Sequence, residues 1–283
     1  MSQSPHEDGR LHLDTGLMRE SLVSEKLGRR THADQVRRMV PDVNMIAVGG
    51  RSIMDRGASA ILPLVEEIVA CKADHRMIVG VGGGTRARHT QQIGLDLGLP
   101  NGGLARIVGG SEEQNRDILQ FLLAPDGGIV FIKDEIQNLQ LQLNDGMIPV
   151  TIGQPPYHCW EPPPSEGVLP ENGPDVGLFL MAEVFGARSV TYVRDVDGVL
   201  DGDVSSGAEL ETIPRVSARE LLERGLPGLP VDREMLRTLD RARSVNAVRV
   251  INGLVPGQLQ AALAGEDVGT LIHNDRYTEE SAA

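Results

Sequence analysis

"VNMIAVGGRSIMDRGASAILPLVEEIVAC", residues 43–71, is where the fold is first legible. Val43 to Val48 is a short, mostly apolar run, the pattern of a strand covered on both faces. Gly49-Gly50 breaks the run. Further on, Ile61, Leu64, Val65, Ile68 and Val69 recur at helical spacing and make one apolar face. Pro63 suits that helix only within its first turn, where a missing N–H costs nothing. A strand, a glycine turn and an amphipathic helix form the repeating unit of a parallel α/β sheet.

The unit recurs along the chain. "RMIVGV", 76–81, reads as a buried strand, leads into Gly82-Gly83-Gly84, and is followed by a helical "TRARHTQQIGLDLGL". "SEEQNRDILQFLLA" is a helix with Ile118, Leu119, Leu122 and Leu123 on one side. "GIVFI", 128–132, and "MIPVTI", 147–152, read as strands flanking "EIQNLQLQLN". "DVGLFLMAEVFGA" predicts a helix ending near Gly186, and "SVTYV" (189–193), "AVRVI" (247–251) and "VGTLI" (268–272) predict further strands. This alternation predicts a three-layer α/β sandwich with a mainly parallel central sheet over residues 41–283. Residues 1–40 are polar, mix both charges, and read as an N-terminal arm with no core of its own.

Composition narrows the function. The chain has 283 residues, 40 acidic and 27 basic, for a formal net charge of -13, and only 3% aromatics. A nucleic-acid partner is disfavoured, because duplex binding needs a basic surface and single strands need stacking platforms. Any anion site must be a local cluster working against the global field. Cys71 and Cys159 are too few for a disulfide framework. No leader-like start and no membrane-length apolar run is visible, so a cytoplasmic protein is expected.

Ligands of open parallel sheets bind at the carboxyl ends of the strands. Three glycine turns are expected there: Gly49-Gly50, Gly82-Gly83-Gly84, and Asp197-Gly198 after "SVTYVRDV". Glycine lets backbone N–H groups approach an oxyanion, and a helix N-terminus adds positive potential. A glycine after a strand often does no more than turn the chain, so three at one sheet edge say more than any one. Gly82-x-Gly84-x-x-Ala87 also fits a loose dinucleotide fingerprint. It follows the second strand, however, and lacks an acidic strand end about 20 residues on. A Walker loop is absent from the sequence. In the proline-braced "PPYHCWEPPPSEGVLPENGPD", 155–175, His158 and Cys159 offer nitrogen and sulfur donors, and Trp160 is the only tryptophan. Their spacing matches no established zinc site.

"GGRSIMDRGASAILPLVEEI", "GGGTRARH", "GLDLGLP", "QPPYH", "FLMAEVFGA", "VDGVL" and "VINGLVPGQLQAALAGEDVGTLI" together resemble the amino-acid-kinase superfamily, especially bacterial uridylate kinases. Within it the nearer likeness is to the molybdenum-storage branch, and "EGVLP" after "PPYHCW" is similar to its β type of subunit. The resemblance implies that the first glycine turn holds ATP phosphates, with Arg88 contacting a phosphate at the second. It implies that Asp175 helps place Mg2+ and phosphate, and that Asp197-Gly198 borders the adenosine. For the storage branch it implies molybdate or tungstate held as polyoxometalate clusters in a closed cage, with His158, and Cys159 beside it, toward the metal. The partners implied are copies of this chain in a hexamer, or a related subunit in an α3β3 assembly.

The chain departs from the pattern where the charge matters most. The lysine of the first strand is Ala47. Phosphoryl transfer depends on electrostatic stabilisation, so this loss predicts slow ATP hydrolysis unless Arg51 or Arg194 supplies the charge, and Ala47→Lys is expected to raise turnover. The reading favours oxyanion storage with bound nucleotide. The alternatives are a small-molecule kinase of the uridylate type and a catalytically weak regulatory subunit.

Overall fold

In the computed structural model, which describes residues 38–131, 133–153, 173–203 and 210–278, β1 (Val43–Val48) lies inside an eight-stranded sheet. The other strands are β2 (Arg76–Val81), β3 (Gly128–Val130), β4 (Ile148–Ile152), β5 (Ser189–Arg194), β6 (Arg215–Ser217), β7 (Ala247–Asn252) and β8 (Thr270–His273). Their order is β3-β4-β2-β1-β5-β7-β8-β6, and every pairing is parallel except β7 with β8. After β1 the chain builds one side of the sheet with β2, β3 and β4, then crosses to the other side of β1 to place β5. The β1/β5 junction is thus a topological switch point, where a crevice opens beyond the strand ends.

Side chains of β1 alternate between two cores. Val43, Met45 and Ala47 join one face with α5 (Pro174–Phe185), through Val176, Leu178, Phe179 and Ala182, and α7 (Arg233–Arg241), through Met235, Leu236 and Leu239. Ile46 and Val48 join the other face with α1 (Ala58–Cys71), through Ile61, Leu64 and Ile68, and with Leu119 and Leu123 of α3 (Asn101–Leu123). The expected three layers are present. The remaining helices are α2 (Gly84–Asp96), α4 (Leu139–Asn144), α6 (Ala218–Arg224) and α8 (Gln258–Leu263).

Several expectations are corrected in detail. Pro63 lies beyond the first turn of α1, so the ladder loses one N–H donor; the position is exposed, where water can reach the freed carbonyl. The helix expected over "SEEQNRDILQFLLA" begins ten residues earlier, at Asn101, and so carries four glycines that weaken any local signal. The last strand begins at Thr270 and not at Val268, and β6 is a three-residue edge strand too short to show a period. The described residues all belong to one compact unit. Residues 1–37 of the predicted arm, His158 and Cys159 lie outside the described residues, while Val40, at the arm's end, is buried in the core. Among those described, no helix is long and apolar enough to cross a membrane.

Candidate functional site

At the carboxyl ends of β1, β2 and β5 lies a cavity of about 450 Å³. Nine of the residues singled out from sequence line it: Gly49, Gly50, Arg51, Gly82, Gly83, Gly84, Arg88, Asp175 and Arg194. Its floor is made by the first two glycine turns, packed backbone on backbone. A Cβ on Gly50 would stand 2.2 Å from the Gly84 nitrogen and 2.6 Å from the Gly82 oxygen. Only glycine allows that approach. The first amide of each turn extends the sheet: Gly49 N–H donates to the Val193 carbonyl at 3.1 Å and Gly82 N–H to that of Val48 at 3.1 Å. Among the described residues, the amides of Gly50, Arg51 and Gly83 have no backbone acceptor. They are donors of the kind that bind an oxyanion.

The N-terminus of α2 was expected to add its potential to the second turn. Part of it is already answered by Asp55, whose Oδ2 accepts from the Thr85 amide at 2.6 Å and the Thr85 hydroxyl at 2.6 Å. An acidic side chain there satisfies one orphan N–H and offsets the helix dipole. Beside the second turn, Arg88 of α2 lines the cavity.

Arg194 is the most constrained cation in the site. Its Nη1 donates to the carbonyls of Ala47 and Val193, both at 3.0 Å, and its Nε to that of Pro230 at 2.7 Å. Its Nη2 donates to Asp175 Oδ1 at 2.6 Å. Asp175 Oδ2 accepts the Asp232 amide at 3.2 Å. The guanidinium thus pins the first residues of α5 against the ends of β1 and β5. It cannot swing as a free phosphate clamp without giving up these bonds. Ala47 itself is fully buried and does not line the cavity.

Three lining carboxyls escaped the sequence reading: Asp195, paired with Arg56 at 2.5 Å, and the more perturbed Glu112 and Asp232. Burial and the Asp175 charge push Glu112 up to about 8. Burial and Asp175 likewise push Asp232 up to about 7, against the opposing pull of Arg194 and Arg88. Both residues sit among ordinary helical and loop sequence, and only the fold brings them to Asp175. Glu112 stands three residues before Asn115, whose Nδ2 donates to the Gly82 carbonyl at 2.7 Å, so one helix turn of α3 fixes both.

The third expected turn is placed differently. Asp197 accepts from Asn252 Nδ2 at 2.8 Å, and neither Asp197 nor Gly198 lines the cavity. Gly198, at φ +145°, is wedged under Thr270 and borders a small neighbouring recess with Leu226 and Leu229. Asp195 and Val196 after β5 still line the cavity, and the chain then turns so that Asp197 meets Asn252 of β7 and Gly198 meets Thr270 of β8.

Among the described residues no group of three carboxylate, histidine or cysteine side chains has the geometry to hold a metal ion.

The profile of the amino acid kinase family matches residues 42–252. The chain is 40% identical over 260 residues to the molybdenum storage protein subunit beta of Azotobacter vinelandii, covering 92% of this chain and 96% of that one. It is 28% identical over 203 residues to the uridylate kinase of Hyperthermus butylicus, covering 70% and 83%. Among solved structures, the uridylate kinase of Archaeoglobus fulgidus superposes with a TM-score of 0.61 at 23% identity, over 81% of this chain and 99% of that one.

Proposed function

Because the chain belongs to the amino acid kinase family, and its cavity keeps the glycine turns without a first-strand lysine, we propose that it is a nucleotide-binding subunit of an oligomeric store for molybdate or tungstate. The observation that carries this reading is the 40% identity, across nearly the whole of both chains, to a molybdenum storage protein subunit. In the proposal the metal is held as polyoxometalate clusters inside a cytoplasmic hexamer, built of this chain alone or with a related subunit. His158 and Cys159 provide donors to the clusters.

The amides of Gly50, Arg51 and Gly83, which have no backbone acceptor among the described residues, hydrogen-bond the phosphates of ATP, and Arg51 and Arg88 supply positive charge at the mouth. Asp175, fixed by Arg194, sets the position of the helix that walls the phosphate end. The charge of Arg194 is largely answered by Asp175, so little is left to stabilise a transferred phosphoryl group. Slow hydrolysis follows. A uridylate-type kinase would require that stabilisation, and the kinase relatives are the more distant ones.

Metal analysis tests the reading. Protein purified from molybdate-fed cells is expected to carry tens of molybdenum atoms per oligomer. An oligomer with none, paired with rapid ATP turnover on a nucleotide acceptor, would overturn storage in favour of the kinase.

A further inference from the structure

Two side chains in the cavity wall, Glu112 and Asp232, each have an unanswered buried oxygen, and Glu112 is the more deeply buried. Glu112, on α3, is 1% exposed, lines the cavity, and its Oε2 has no hydrogen-bond partner. The Gly153 amide donates to its carboxyl. Its Cγ lies 2.9 Å from where a Cβ on Gly83 would stand, so the carboxyl is lodged against the second glycine turn.

The charged groups around the cavity do not neutralise it. Asp175 at the start of α5 and Asp232 before α7 both repel a charge on Glu112. Arg194, at the end of β5, is held by Asp175 and three carbonyls, and Arg88 of α2 acts on Asp232. Arg86 of the same helix bonds Gln114 and Asn115. Arg51 and Asp195 come from the loops after β1 and β5. Among the described residues Glu112 forms no ion pair. A buried carboxyl without a cation is stable only as the neutral acid. Such an acid has an O–H to give, and the group that suits it is an anionic oxygen.

We propose that Glu112 donates a hydrogen bond from its carboxyl to an anionic oxygen held at the second glycine turn, so that binding there depends on a proton carried by the protein. The inference rests on the reading of the cavity as an oxyanion and nucleotide site. It adds a specificity-determining residue that compensates for the shortage of free cations.

The test is calorimetric titration of the full-length protein with MgATP at pH 7 and pH 9. Both lie above the second ionisation of a phosphate ester, near ~6. With Glu112 titrating at about 8, wild-type affinity should fall about tenfold between them, as the competent fraction falls. Glu112→Gln keeps a donor at every pH and should bind alike at both, apart from effects it shares with wild type. If that variant does not fold, wild type alone decides: at pH 9, in two buffers of different ionisation enthalpy, it should take up close to one proton per ATP bound. Absent proton uptake, or the same pH slope in both proteins, overturns the role of Glu112 while leaving the nucleotide site standing. Absence of any ATP binding at pH 7 overturns the site reading, and this inference with it.

Discussion

Arg194 shows how one residue's charge can be committed before any ligand arrives. Four hydrogen bonds hold it, and its partner Asp175 is itself largely buried. Removing one member of such a pair leaves the other charge uncompensated, which costs roughly 3–5 kcal/mol. Arg194→Met should lose about that much in denaturant unfolding, and adding Asp175→Leu should recover a good part. Ala47 is a second case. Sequence alone suggests that Ala47→Lys would restore turnover, but the site is fully buried in the core shared with α5. Overpacking such a site costs about 1–3 kcal/mol before any desolvation of the ammonium is counted. The expected outcome is a lower melting temperature, and a stable variant with faster hydrolysis would contradict it. Glu112 and Asp232 set a pH dependence. Their carboxyls move from ordinary values of 4.5 and 3.8 to about 8 and about 7 on folding. Between those limits the unfolded chain has released protons that the folded chain keeps, so stability is full at low pH and declines as pH rises through the folded values. Thermal melts from pH 5 to pH 9 should show this decline, and Glu112→Gln should flatten it.

The elements around the cavity are held by few, identifiable contacts. The start of α2 depends on Asp55, which caps Thr85 from the short turn after β1 and so ties the first glycine turn to the second. Cap removal typically costs about 0.5–2 kcal/mol. Asp55→Ala should lose that much stability. It should also tighten phosphate binding, because a carboxylate no longer competes for the helix N-terminus. Equal or weaker phosphate affinity in that variant would show that the N-terminus of α2 plays no part in holding the anion. On the opposite wall, α5 lies close to the sheet because Gly80 of β2 leaves room for Leu178: a Cβ there would stand 2.1 Å from Leu178 Cδ2. The site therefore depends on small residues in strands as much as on the loops that line it.

For the whole molecule, the proposed hexamer predicts a particle of six 30.5 kDa chains, or an equivalent with a related subunit. Light scattering at micromolar concentration should show it, and a stable monomer would refute it. The cluster role given to His158 predicts that His158→Ala lowers the metal retained per particle without changing particle size. Unchanged retention would remove that residue from the storage reading. How much of this was readable from sequence differs by element. The buried run of β1, the Gly-Gly turns and the helical spacing of α1 and α5 each follow from a period within a dozen residues, so the three-layer parallel fold was legible locally. Seven cavity residues, the glycines of the first two turns with Arg51 and Arg194, were legible for a related reason: parallel topology sends every strand end to one edge, whereas Arg88 and Asp175 came only from the family resemblance. Asp197 and Gly198, expected at that edge by the same logic, do not line the cavity; hydrogen bonding to Asn252 and packing under Thr270 set them beside it, where Gly198 borders the neighbouring recess. Tertiary structure alone decided that Arg194 is bound and not free, that Asp55 occupies a helix end, and that Glu112 and Asp232 converge on Asp175. Those are interactions between residues 19 to 63 positions apart in sequence. A carboxylate looks the same in sequence wherever it stands, and only burial beside another carboxylate makes it an acid that keeps its proton.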